Sequence, residues 1–308
     1  FCENIFTPKH PERMHSFRVF CKKGETPLKE INSVEVANLI ESLCIKANIC
    51  APEDVMEGII LAKAHEDSYY GQAVLEDLLE NIELARKERM PLCQDCGMVV
   101  VFVDWGQEVL LVGSTLQESI DEGVRKAYLE NYLRRSVVND PLYERKNTGD
   151  NTPAIVHCRL VGGNEAKFTV VPKGMGSENA SALAMLSPAD GQEGVINFVK
   201  STVAQKGQNA CPPLIVGVGI GGNFESAPIL AKRSLLRPVG SRNTDDRYSQ
   251  LEEKLLEEIN GLGLGPGGYG GRVTALDVHV EFMPTHIAGL PVAVNVCCNA
   301  LRHASGHL

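Results

Sequence analysis

The spacing of apolar residues changes near residue 90 from wholly helical to mixed, and no other feature limits the chain's possible folds as much. Before that point apolar residues recur at three- and four-residue intervals, as in helices with one buried face. Val36, Ile40, Leu43 and Ala47 form one such run, which Ser33 can cap. Pro52, Glu53 and Asp54 make a good first turn for a second, with Val55, Ile59 and Ala62 on its face. Val74, Leu78, Ile82 and Ala85 mark a third helix after Gly71, supported by a Glu83–Lys87 pair.

Beyond residue 90 strand-like runs join the helical ones. Residues 98–103 are continuously apolar, as expected of a strand buried on both faces, and 109–112 form a second β-like run. Thr115 and Glu118 make a capping box for a long helix expected to reach about Val138. Residues 154–161 and 166–171, joined across Gly162 and Gly163, read as a hairpin. A glycine loop at 173–177 leads to a short helix, and further helices are expected at about 189–206 and 248–259. A short buried strand at 214–216 is followed by a glycine-rich loop and a helix, and strands at 273–282 and 292–296 close the chain. The fold class is α/β or α+β: an N-terminal helical region over about 30–90, then a mixed sheet with flanking helices over about 91–308. One catalytic domain over 30–308 is expected, after a poorly patterned extension at 1–29. No internal repeat is visible.

Net charge is −9 and the pI near 5.5, which argues against a nucleic-acid binder that neutralises phosphates. No apolar run approaches the ~20 residues of a membrane span, and residues 1–23 show no secretory pattern. A cytoplasmic location is therefore expected. It also suits the 10 cysteines, two of them adjacent, in a chain long enough to build a core without disulfides. Cys44 and Cys158, within helical and strand-like patterns, read as small buried hydrophobes.

Several motifs could carry chemistry. Gly217, Gly219 and Gly222 match G-x-G-x-x-G between a strand and a helix, which would suit an NAD-linked oxidoreductase. The second strand that this motif needs is missing from 233–248, which is polar, so the glycines also read as a loop whose backbone must pass close to a neighbouring structure. Cys93 and Cys96 form a C-x-x-C, which would suit a thiol or zinc binding module, but neither a thioredoxin-like context nor a second spaced pair accompanies it.

A set of five segments, in order, resembles one family. They are 91–95 (PLCQD), 146–153 (KNTGDNTP), 172–179 (PKGMGSEN), 210–213 (ACPP) with 217–222, and 291–300 (PVAVNVCCNA). Together they are similar to the α subunit or N-terminal domain of the iron–sulfur hydro-lyases, the family of class I fumarase and L-tartrate dehydratase. The resemblance implies that Cys93, Cys211 and Cys298 hold a [4Fe–4S] cluster whose fourth iron is open to substrate. It places Gln94 and Asp95 beside the cluster, with Asp95 as a proton-transfer group. It assigns Arg134 to a substrate carboxylate, with Arg135 as its rival, Gly176 to a backbone contact, and His286 to an orienting or protonating role. Two positions depart from the family pattern: Cys96, where Thr is usual, and Cys297, which leaves the third ligand open between Cys297 and Cys298.

The function so implied is reversible hydration of fumarate to (S)-malate, with L-tartrate dehydration as the alternative. The family's base and further carboxylate-binding groups lie in a second domain that is not recognisable in this sequence. A separate β subunit is therefore expected, with a small dicarboxylate between the two chains and a dimer of αβ pairs as the assembly.

Overall fold

A computed structural model describes residues 28–308. Cys2, Cys21 and nearly all of the expected extension at 1–29 lie outside the described residues. The last residue of that range, Lys29, belongs to a strand instead, β1 (Lys29–Asn32).

The helical part contains α1 (Ser33–Ile49), α2 (Glu53–His65) and α3 (Tyr69–Glu88). The cap of α1 lies one residue earlier than expected. The Asn32 side chain accepts from Val34 N–H and Glu35 completes the capping box, which leaves Ser33 as the first helical residue. Then come β2 (Met98–Gly106), β3 (Val109–Val112) and α4 (Leu116–Glu130). The middle of the chain holds β4 (Ile155–Val161), β5 (Ala166–Lys173), α5 (Met175–Glu178), β6 (Ala182–Leu186) and α6 (Gly191–Lys206). It closes with β7 (Leu214–Gly222), α7 (Ser226–Ser234), α8 (Asp246–Asn260), β8 (Ala275–Thr285), β9 (Leu290–Cys297) and β10 (Ala304–His307).

In place of one mixed sheet there are two four-stranded ones, β10-β5-β2-β4 and β6-β9-β7-β8, with β1 and β3 paired separately. The two larger sheets share one plan. A central strand (β2 or β7) runs parallel to one neighbour (β4 or β8) and antiparallel to the other (β5 or β9), and a short strand lies antiparallel beyond. The expected β4–β5 hairpin is therefore split, because β2 lies between its arms. The apolar run 98–103 of β2 is buried on both faces as expected, under α1 and α4 on one side and α7 on the other. The β4–β5 connection folds over the end of β2 instead, accepting from Gly106 N–H at the Glu165 carbonyl (2.9 Å) and from Gln107 N–H at the Val161 carbonyl (2.9 Å). At the sheet edge β4 leaves Cys158 exposed, contrary to the expectation of a buried thiol; Cys44 is buried as expected.

The layers alternate. α1 and α4 cover one face of the first sheet, packing Ile40 and Val124 against Val99, Val101 and Val103. On its other face Val100, Phe102 and Val171 meet Ile229 of α7 and Leu236 just beyond it. α7 also lies on the second sheet, whose far face is covered by α6 and α8. This shared helix corrects the glycine motif. Gly217 and Gly219 are part of β7, not a loop, and they let α7 approach. A Cβ on Gly217 would run into the Ala231 carbonyl, and one on Gly219 into the Ala227 carbonyl and to 2.6 Å from Ala231 N. The phosphate-binding turn of a dinucleotide fold is absent at this place.

α4 ends at Glu130 rather than near Val138. The Asn131 side chain donates to the Ala127 carbonyl (3.2 Å) and Tyr132 turns into the left-handed region (φ 58°). The chain then runs extended and buries Leu133 and Val137. Among the described residues no helix is long and apolar enough to cross a membrane.

Candidate active site

The three cysteines singled out above come from three loops at neighbouring strand ends. Cys93 lies between α3 and β2, in a loop pinned at Leu92, whose N–H donates to the Asn48 carbonyl (2.8 Å) and whose carbonyl accepts from Asn81 Nδ2 (2.9 Å). Cys211 precedes β7 and is held in the left-handed region (φ 55°). Cys298 follows β9. Because β7 and β9 are antiparallel with Ile215 opposite Cys297, Cys211 and Cys298 emerge at the same end of the second sheet. Asn299 ties these two loops together, donating from its backbone and side-chain nitrogens to the Cys211 carbonyl. Burial raises the Cys211 thiol above its ordinary value, and the sulfurs of Cys298 and Cys93 raise it further. Thiols that repel one another's thiolate forms are suited to sharing a cation. Among the described residues no three Cys, His, Asp or Glu are grouped to hold a single metal ion.

Next to Cys93 opens a cleft of about 570 Å³ lined by Gln94, Asp95, Arg134, Arg145, Met175 and Asn179, among others. Asp95 is held at both oxygens: Oδ1 accepts from Gly97 N–H (2.9 Å) and Oδ2 from Met175 N–H (2.8 Å). Gly176 follows Met175 without itself lining the cleft, and an added Cβ there would meet only the Asn209 carbonyl, at 3.9 Å. The early end of α4 is what brings Arg134 here. Its N–H donates to Cys96 Sγ (3.1 Å), and the Cys96 carbonyl accepts from the Tyr128 hydroxyl (2.6 Å). Arg135 turns away and donates to the Gly149 carbonyl (3.0 Å).

His286 is not brought to this cleft. It is exposed between β8 and β9, where its Nδ1 faces Ala288 N–H at 3.2 Å, and it lines a different cleft of about 440 Å³ with Tyr248 and Ile287. The whole of β9 separates it from Cys298, about 25 Å at ordinary strand rise.

A charged network fastens the cleft wall to both sheets. Glu178 accepts from Lys232 Nζ (2.6 Å) and Asn295 Nδ2 (3.0 Å), and pairs with Lys173 Nζ (3.2 Å). Burial pushes its carboxyl up, but Lys173 and Lys232 together bring it down to about 2. The segments 172–179 and 291–300 already contained Lys173, Glu178, Asn295 and Asn299; nothing local pointed to Lys232 as a partner of Glu178 or to Arg145 as part of the cleft.

A family model described as fumarate hydratase (Fumerase) matches residues 37–307, a span that takes in all three cysteine loops and the cleft. The chain belongs to the fumarate hydratase family. It is thereby a hydro-lyase, an enzyme that adds or removes water. The "Putative L(+)-tartrate dehydratase subunit alpha" of Methanocaldococcus jannaschii is 41% identical over 275 residues, covering 88% of this chain and 96% of the relative. The L(+)-tartrate dehydratase subunit alpha of Escherichia coli O157:H7, and that of strain K12, are each 32% identical over 286 residues, covering 90% of this chain and 93% of the relative.

Within this fumarate hydratase family member the adjacent cysteines differ. Cys297 is buried in a core with Ile215, Leu235 and Leu301, whereas Cys298 is half-buried beside the Cys211 loop. The neighbouring Cys297 thiol lowers that of Cys298, with Arg302 and Lys173 adding to the effect, while Cys298 and burial raise that of Cys297.

Proposed function

We propose that this chain is the α subunit of a [4Fe–4S]-dependent fumarate hydratase, acting on a small dicarboxylate together with a β subunit. The observation that carries the reading is that the Cys211 and Cys298 loops meet at one end of the second sheet, tied by Asn299, while Cys93 adjoins a cleft bearing Gln94, Asp95 and Arg134. Cys93, Cys211 and Cys298 would hold the cluster. The core position of Cys297 supports Cys298 as the third ligand. When bound, the cluster supplies a Lewis-acidic iron that polarises the substrate hydroxyl.

The protein residues do the rest. Arg134, with Arg145 beside it in the cleft, binds substrate carboxylates and offsets the repulsion between a dianion and a chain of net charge −9. Gln94 donates to a substrate oxygen, and Met175, the neighbour of Gly176, lines one wall. Asp95, fixed by two backbone N–H groups, moves a proton to or from substrate at a carboxylate oxygen. A second acid–base group comes from the β subunit. His286 has no place in this set within one chain.

The names of the relatives favour a second reading, L(+)-tartrate dehydratase. Both readings share the cluster, the carboxylate grip and the loss of water. Anaerobic co-expression with the β subunit, followed by assays with malate, fumarate and L(+)-tartrate, separates them. Turnover of malate and fumarate supports the first, and turnover of tartrate alone supports the second. A cluster-loaded pair that dehydrates neither acid overturns both. Light scattering of the same complex tests the expected dimer of αβ pairs.

A further inference from the structure

Arg302 is 2 % exposed, in the segment between Cys298 and β10. A guanidinium stays charged in any protein setting, and desolvating it costs several kcal/mol unless an anion answers it. Yet it forms no ion pair with a carboxylate of the described residues. Its Nε has no hydrogen-bond partner, and Nη1 reaches only the neutral Asn48 Oδ1 at 3.3 Å. Nη2 faces Asp95 across Gly174: the point where a Gly174 Cβ would stand is 3.5 Å from Nη2 and 3.1 Å from Asp95 Oδ2. Asp95 forms no ion pair with Arg302, and its two oxygens accept instead from the Gly97 and Met175 N–H groups. Geometry places Arg302 between two of the cysteine loops: it follows Cys298 by four residues, and Asn48, which accepts from its Nη1, also accepts at its carbonyl from the Leu92 N–H beside Cys93.

We propose that Arg302 is the buried counter-charge of the thiolate-held metal group, a positioning residue that stabilises its anionic ligands without touching substrate. The inference rests on the cluster reading above and deepens it. Among the described residues this buried cation has no ion-pair partner beside the cysteine loops, and deprotonated cysteines would supply the anions there. Lys173 does not fill this role, because Glu178 and Ser177 already satisfy its ammonium group.

The test uses the full chain, loaded anaerobically with iron and sulfide, as wild type, Arg302→Lys and Arg302→Met. Reduction adds negative charge to the cluster, so removing a nearby cation lowers its midpoint potential. Arg302→Met is expected to shift the potential down and to hold iron against a chelator about 10–100-fold less well, the usual cost of losing a group that supports metal ligands. Arg302→Lys keeps the charge and is expected to stay near wild type in potential. The cluster-free proteins give an independent readout. Removing an unanswered buried charge is expected to leave the Tm of the cluster-free chain unchanged or higher. If Arg302 only anchors Asn48, Arg302→Met lowers that Tm and leaves the potential alone, and the inference is overturned. A wild-type chain that takes up neither iron nor sulfide overturns the functional reading as well. A loaded wild type with an unaltered Arg302→Met potential overturns this inference alone.

Discussion

Asn299 donates to the Cys211 carbonyl twice, from its backbone nitrogen at 3.3 Å and from Nδ2 at 2.8 Å. One side chain thus sets the separation of two cysteine loops that are far apart in sequence. Asn299→Ala removes the Nδ2 bond and leaves the backbone one. We expect a stability loss of about 1 kcal/mol and a larger effect on metal retention, roughly tenfold or more. Iron and sulfide per chain after anaerobic loading and desalting measure the second. Wild-type retention in Asn299→Ala would mean that the loops are held by their strands alone.

Asp95 and Arg134 separate in steady-state kinetics of the loaded complex. Asp95→Asn keeps the shape of the side chain but cannot accept a proton, so kcat is expected to fall by about 10²–10⁴. Arg134→Lys keeps charge but loses the two-pronged grip on a carboxylate, so KM is expected to rise by about 10-fold or more, with a smaller change in kcat. Arg135→Lys serves as the control, because Arg135 points to the Gly149 carbonyl.

Glu178 predicts a loss of stability in acid. Its folded-state value, about 2, lies below the ordinary 4.5, because Lys173 and Lys232 outweigh the effect of burial. The stabilisation is complete above about pH 4.5 and is lost as the pH falls toward 2, on the order of 2–3 kcal/mol in all. Wild-type Tm should therefore drop between pH 5 and 3, while Glu178→Gln, already destabilised at pH 7 by its unpaired lysines, should drop less over that range. Parallel Tm curves for the two proteins would rule this account out.

Gly219→Ala tests the close approach of α7. The new methyl would overlap the Ala227 carbonyl and stand 2.6 Å from Ala231 N, so the helix must move. Overpacking of this kind costs about 1–3 kcal/mol or more, visible as a lower midpoint in urea. A neutral effect would show that α7 shifts freely on its sheet.

What could be read in the sequence followed from how local each signal was. The helices α1, α2 and α3 were legible because an apolar face at helical spacing needs no knowledge of its partner. Only details moved, such as the cap of α1 from Ser33 to Asn32. The two-sided burial of β2 was implicit in its continuous apolar run, yet the β4–β5 hairpin was misread because strand order is not a local property. The glycines at 217 and 219 were legible as a place of close backbone approach, but their position within a strand was not, because the element that approaches is α7, a helix later in the chain. No repeat was visible in the residues, although both sheets use one plan of strand directions, because the plan constrains burial pattern rather than residue identity. At the cleft, Gln94, Asp95 and Arg134 came from the resemblance, and the structure brings them to one surface. Arg302 had no signal in the sequence, because a buried charge is conspicuous only once its surroundings are known.

The stretch that runs from Cys298 to His303 is moored at both ends: β9 fixes one end to the second sheet, and β10 pairs with β5 of the first. It behaves as a tie-rod between two plates. Any slippage of one plate against the other would be felt first at this sulfur and at the arginine beside it. Rigidity between the sheets is therefore a condition for the chemistry at the cleft, and substitutions in the helix sandwiched between them should disturb the site without ever lining it.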